Sequence, residues 1–171
     1  AMKWFEQSAF YHIYPLGYCG CEKENDFKSE PVSRILSVID NIPHIKAMGF
    51  NAIYFGPVFE SSRHGYDTAD YTKIDRRLGT NEDFKKVCDE LHKNGIKVVI
   101  DGVFNHVGRD FNKFIDVREK RWDSQYKDWF HLRDGNSCYN DGFFYEGWEG
   151  HYELVKLNLF NPDVKNYIKD C

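Results

Sequence analysis

The junction at Gly95 constrains this chain more than any other feature, because it places a helical pattern directly before a buried strand pattern. Thr80 followed by Asp83 resembles a capping box with Asp in place of Glu. Phe84, Val87, Cys88 and Leu91 then form an apolar stripe at helical spacing, which predicts a helix over 81–94 ended by Gly95. Ile-Lys-Val-Val-Ile-Asp at 96–101 follows as a nearly continuous branched run, the pattern of a parallel strand covered on both faces. The same alternation stands upstream. Residues 8–14 predict a first strand, stopped by Pro15 and Gly17. Val32, Ile35, Leu36, Ile39 and Ile42 recur at helical spacing to an interruption or restart at Pro43, and Ile45 and Met48 continue to Gly49. A second strand is predicted at 51–55. Strands alternating with helices imply right-handed β/α crossovers and a parallel sheet or barrel, with active groups at the carboxyl ends of the strands.

The chain has 171 residues, fewer than the roughly 250 of a complete eight-stranded β/α barrel. Residues 107–158 break the rhythm. They carry Trp122, Tyr126, Trp129, Phe130, Tyr139, Phe143, Phe144, Tyr145 and Trp148 with no helical period after about 120, which reads as a long insertion after strand three. Asn161-Pro162 then looks like a capped helix start. Hydrophobic residues at 42% and 17% aromatics suit a soluble globular chain. Against 27 Asp and Glu stand 23 Lys and Arg, and the net charge of −4 gives no electrostatic reason to expect nucleic acid or an anionic membrane as partner. The start lacks the basic and apolar regions of an export signal, so a cytoplasmic location is expected, and Ala1 before Met2 reads as a remnant ahead of an initiator. Cys19, Cys21, Cys88, Cys138 and Cys171 lack zinc spacing and are expected as free thiols.

Two clusters carry chemistry. His64-Gly-Tyr66-Asp67-Thr-Ala-Asp70-Tyr71 follows strand two, where an aromatic face beside a histidine and carboxylates suits a sugar, whose C–H face stacks while its hydroxyls hydrogen-bond. The alternative is a polar turn with one packed tyrosine. Asp101-Gly-Val-Phe-Asn105-His106 runs from the end of strand three into the insertion. Alternation puts Asp101, Val103 and Asn105 on one side only if the strand continues past Gly102. Carboxylate, amide and imidazole there suit a metal, a set of sugar hydroxyls, or a hydrogen-bond network that shapes the turn.

The His-Gly-Tyr-Asp-Thr-Ala-Asp-Tyr block, Ile-Asp-Arg-Arg-Leu-Gly-Thr at 74–80 and Asp-Gly-Val-Phe-Asn-His-Val-Gly at 101–108 together resemble glycoside hydrolase family 13, the α-amylase family. Asp128-Trp-Phe-His-Leu-Arg, Tyr145-Glu-Gly-Trp-Glu-Gly-His-Tyr and Leu154-Val-Lys-Leu-Asn158 are most similar to its neopullulanase, cyclomaltodextrinase and maltogenic amylase subfamily, although Val155 stands where that pattern usually has Pro. The resemblance covers the chain from Tyr11 to about Tyr167 and implies an α/β fold: the N-terminal portion, about three β/α units, of a TIM barrel. Residues 1–106 would supply those units, 107–158 a domain B-like insertion after strand three, and 159–171 the start of the next helix.

The resemblance further implies that Tyr66 stacks on the sugar before the scissile bond, that His64, Asp67 and His106 contact its hydroxyls, and that Asp101 orients the site. Asn105 matches a position that supplies an amide oxygen to a structural calcium in many α-amylases; no other cofactor is implied. The substrate would be an α-glucan or maltooligosaccharide. The family's nucleophile, acid/base and transition-state-stabilising carboxylates are expected beyond Cys171, so the isolated chain is expected to be an inactive fragment of a retaining glycosidase. The alternative is a non-catalytic sugar-binding or assembly module derived from that family, and an unrelated metal-dependent β/α protein is a third reading. A partial barrel exposes sheet edges, which makes self-association through them an expectation.

Overall fold

The computed structural model describes residues 8–102 and 104–170. Val103 and Cys171, on which two of the sequence readings fall, lie outside them, as do residues 1–7. The chain divides into two compact units. One holds the chain up to Val58 together with Lys73–Gly102, and the other holds Phe59–Thr72 and the chain beyond Gly102.

In the first unit, β1 (Phe10–Ile13) leads into α1 (Pro15–Tyr18), a single turn with Pro15 in the position where a missing N–H costs nothing. A 3-10 turn, Arg34–Leu36, runs into α2 (Ser37–Asp40), and α3 (Ile42–Ala47) follows. The helix breaks at Asn41 rather than at Pro43. Pro43 has no N–H to continue the ladder and is tolerated in the first turn of a new helix, so the restart falls just ahead of it. After β2 (Ala52–Phe55) the chain leaves this unit through β3 (Phe59–Ser61) and returns along β4 (Thr68–Ile74). This hairpin was absent from the sequence expectation. The helix α4 (Asn81–Lys93) starts with the full capping box: the Asp83 N–H donates to Thr80 Oγ1 at 3.1 Å, and the Thr80 N–H donates to Asp83 Oδ2 at 3.0 Å.

The strands β1, β2 and β5 (Lys97–Ile100) form a parallel sheet in the order β1-β2-β5, with Tyr11 opposite Ile53 and Ile53 opposite Val98. Ala52, Ile53 and Phe55 are fully buried, and Phe84 of α4 meets Phe55 edge-on at 5.5 Å. In contrast, β5 is half-buried to exposed, which corrects the expectation of a strand covered on both faces. Its branched residues sit at the sheet edge, and among the described residues no strand pairs beyond it and no barrel closes. Between β4 and α4, Arg77 grips Asp75 through two hydrogen bonds of 2.9 and 2.8 Å, and its third nitrogen donates to the Glu22 carbonyl at 2.9 Å. Both side chains are buried, so this pair fastens the polar 20–30 segment to the unit.

The second unit contains the stretch that looked like an irregular insertion. It is built from β6 (His106–Gly108), α5 (Asn112–Lys120), β7 (Leu132–Arg133), β8 (Phe144–Tyr145), β9 (Gly147–Trp148), β10 (His151–Lys156) and α6 (Pro162–Asp170). Strands of two or three residues are too short to display an alternation, which is why the pattern looked formless. Antiparallel pairing gives the order β6-β10-β9. The Asn161 side chain accepts from the Asp163 N–H at 2.9 Å and caps α6, with Pro162 in first position as the sequence predicts. The core is aromatic: Phe114 meets Phe130 and Tyr145 edge-on at 5.1 and 5.2 Å, with Val107, Phe111, Phe143 and Val155 fully buried around it.

Beside that core, Arg109 forms a two-point ion pair with Asp141 at 2.8 and 2.9 Å, donates to the Tyr145 hydroxyl at 2.9 Å and lies 3.9 Å from the centre of the Tyr139 ring. Burial pushes the Asp141 carboxyl up, but hydrogen bonds from Arg109 and Ser137 outweigh it, so the group ionises below the usual carboxylate range. Its stabilisation is therefore complete above the unfolded value of about 3.9 and is lost as pH falls through the lower folded value. Asp141→Ala leaves a buried guanidinium unpaired and should cost about 3–5 kcal/mol at neutral pH. In urea unfolding, the gap to the parent chain should narrow as pH falls below the unfolded value of about 3.9; a gap independent of pH contradicts this reading.

Candidate functional site

The segment 62–67 joins β3 to β4 in the second unit, and local hydrogen bonds set its shape. The Ser62 N–H donates to the Asp67 carbonyl at 3.3 Å and closes the loop. Gly65 sits at φ 95, a conformation that favours glycine, and its N–H donates to Asp67 Oδ1 at 3.2 Å. The Tyr66 N–H donates to His64 Nδ1 at 3.1 Å. This bond assigns the neutral His64 proton to Nε2. His64 Nδ1 also lies 3.6 Å from Asp67 Oδ1, and with Nδ1 acting as acceptor this approach is not an ion pair. Asp67 is buried, whereas Tyr66 keeps 39% of its surface exposed, with its ring centre 5.9 Å from that of His64. An open phenol face therefore stands beside an outward imidazole and above an anchored carboxylate.

His106 opens β6 and is 5% exposed. Neither ring nitrogen finds a hydrogen-bond partner of good geometry. Desolvation lowers its pKa below the usual histidine value, helped by His64 and opposed by the Tyr66 backbone and Asp67, so the imidazole is held neutral. Its carbonyl accepts from the Tyr71 hydroxyl at 3.0 Å, and its ring centre lies 5.4 Å from the Trp148 ring. Gly108 brings the backbones together: a Cβ there would lie 2.4 Å from the Asp67 carbonyl oxygen and 2.8 Å from its carbon. Only glycine permits that approach.

The structure thus brings His64, Tyr66, Asp67 and His106 together in one unit. Asp101 belongs to the other unit, directly after β5, where its N–H donates to the Phe55 carbonyl at 2.9 Å. The strand ends at Ile100, so the alternation that would have aligned Asp101 with Asn105 does not extend that far. The Asn105 carbonyl accepts from the Leu157 N–H at 3.0 Å. Among the described residues no group of three or more His, Cys, Asp or Glu is arranged to hold a metal. Gly108 and Trp148, which the sequence did not single out, also touch these residues. Gly108 was visible only as the last residue of a motif, and Trp148 only as one aromatic among many.

A phenol face, an Nε2–H donor, a buried acceptor and an uncharged imidazole with unused nitrogens suit a neutral polyhydroxylated ring better than an ion. The family described as alpha amylase, catalytic domain, matches residues 25–171. A maltogenic alpha-amylase of Bacillus acidopullulyticus is 37% identical over 98% of this chain and 31% of its own length. The neopullulanase 2 of Thermoactinomyces vulgaris is 35% identical over 98% of this chain and 32% of its own. Among solved structures, the cyclic alpha-maltosyl-(1→6)-maltose hydrolase of Arthrobacter globiformis in complex with maltose superposes with a TM-score of 0.82 at 34% identity, covering 98% of this chain and 41% of that one. The chain spans about a third of the length of the curated relatives it matches.

Gly108→Ala drives a methyl group into the Asp67 backbone and should cost about 1–3 kcal/mol by overpacking. Amide shifts should move at 64–67 and spare α4, read by heteronuclear NMR; unchanged shifts at 64–67 would show that the close approach does not set the loop.

Proposed function

The chain belongs to the alpha-amylase catalytic-domain family, and on that premise we propose that it is part of an α-glucan-acting retaining glycosidase and supplies the substrate-positioning side of the active site. The observation that carries this reading is the grouping of Tyr66, His64, Asp67 and His106 around a neutral, hydroxyl-seeking face. In this reading Tyr66 stacks on a glucosyl ring, His64 donates from Nε2, Asp67 accepts from a hydroxyl, and His106 offers one nitrogen as donor and the other as acceptor. The first unit contributes three parallel β/α strands of the barrel with Asp101 at their carboxyl end, and residues 107–158 form domain B. The substrates are maltooligosaccharides, which the names of the relatives support.

Retaining hydrolysis needs two carboxyl groups about 5–5.5 Å apart, one as nucleophile and one as acid/base. No acidic residue after Asp101 lies in a block that matches those family positions. The 171 residues therefore hold the sugar without cleaving its bond. Both edges of the β1-β2-β5 sheet are open among the described residues, which supports self-association of the isolated chain through them.

The test is calorimetry of the purified chain with maltotriose, beside a reducing-sugar assay on maltodextrin. Saturable binding without sugar release is expected, and Tyr66→Ala should weaken binding by about tenfold, equivalent to about 1.4 kcal/mol. Binding that Tyr66→Ala leaves intact would refute the placement of the site, and release of reducing sugar by the pure chain would refute the division of labour. Binding by a full-length natural product of 171 residues, with no longer form in the cell, would favour the non-catalytic module instead.

A further inference from the structure

We propose that Trp148 is a positioning residue for His106, covering the imidazole against water and fixing its ring so that its nitrogens are kept for a ligand. The role of the ligand as a sugar rests on the function proposed above, whereas the coupling of the two rings does not.

A tight turn carries the indole. The strands β9 and β10 are joined by two residues, Glu149 at φ 49 and Gly150 at φ 80, both left-handed, as a two-residue hairpin turn requires. Asn, Asp or Gly would satisfy the first position at lower cost than Glu, so Glu149 holds a strained conformation imposed by its surroundings. Trp148 and His151 are direct cross-strand partners at the base of this turn, and their rings stack at 6.1 Å with planes 25° apart. Gly147 lets β9 lie close on β10, since a Cβ there would meet the His151 carbonyl oxygen at 2.8 Å. The pairing also shifts register between His151 and Val155. A tight turn, a glycine contact and a register shift thus all fix where the indole stands.

It stands against His106. The two ring centres are 5.4 Å apart with planes tilted by 37°, and His106 is the buried side chain whose nitrogens have no partner of good geometry. A buried imidazole with unspent nitrogens costs free energy that a structural histidine would recover through a hydrogen bond. His106 is also held at its backbone, through its carbonyl to Tyr71 and through Lys156 opposite it on β10. The backbone is thereby anchored from two sides, and Trp148 is the aromatic ring in contact with the imidazole itself. The Tyr66 backbone, His64 and Asp67 face it from the other segment of the unit, the Tyr66 backbone without the geometry of a hydrogen bond.

The test reads the imidazole N–H of His106 directly by proton–nitrogen NMR of the 171-residue chain, together with maltotriose affinity. A covered N–H exchanges slowly with water and gives a visible signal. Trp148→Ala should abolish that signal and weaken maltotriose binding by about tenfold or more, while Trp148→Phe restores the signal and returns affinity to within about threefold. Glu149→Gly, which relaxes the turn without touching the indole, should keep both and report that the hairpin folds. If Trp148→Ala disturbs amide signals outside the hairpin, Trp148→Leu replaces it, keeping apolar bulk without a ring; the signal is again expected to be lost. Persistence of the His106 signal in a folded Trp148→Ala or Trp148→Leu chain overturns the proposal, as does failure of Trp148→Phe to restore it. Loss and restoration of the signal in a chain that binds no maltotriose would uphold the coupling and refute the sugar reading.

Discussion

The contact between Gly108 and the backbone of Asp67 is the constraint on which the site depends. A carbonyl oxygen stands where any other residue would place a Cβ, and two chain segments far apart in sequence are pressed together there. Tyr71 reinforces the contact from the next strand by donating to the His106 carbonyl, and its own ring is buried against Phe59, Phe104 and Phe111. The loop 62–67 is therefore held from outside by β6 and from within by its own bonds to Asp67 and His64. Four candidate site side chains project from a frame whose backbone has little freedom left.

Electrostatics then decide what such a frame can hold. The carboxylate is buried and tied to a backbone N–H, one imidazole accepts a backbone hydrogen bond at Nδ1, and the other is held neutral by burial. The strong charge pairs of this unit are spent elsewhere, most fully between Arg109 and Asp141 against the aromatic core. A ligand approaching Tyr66 meets directional donors and acceptors beside an apolar face. In the proposed function that combination would discriminate by hydroxyl placement and ring shape, because a site built to hydrogen-bond a hydroxyl penalises its absence.

Much of this was legible in the sequence. The Thr80–Asp83 cap, the helix behind it, the strands of the parallel sheet and the Asn161-Pro162 helix start follow local rules, and the structure obeys them. His64, Tyr66, Asp67 and His106 were nominated because their types and order formed a recognisable block, and the chain brings them together. What escaped depends on contacts distant along the chain. The exposure of β5 is set by which strands flank it, which its branched run cannot report. Strands as short as β7, β8 and β9 exist because partners complete them, and the β3–β4 hairpin belongs with residues beyond Gly102. Trp148 meets His106 across 42 positions, and no local pattern marks such a meeting.

The central claim is that the Gly108-locked loop and His106 form one sugar-binding face within the second unit. Mapping amide and imidazole shifts of the chain during a titration with maltotriose tests it most directly. The account predicts saturable changes concentrated at residues 64–67 and 106, with α4 and the β1-β2-β5 sheet silent. Changes centred in the first unit, or distributed without saturation over both, would contradict it.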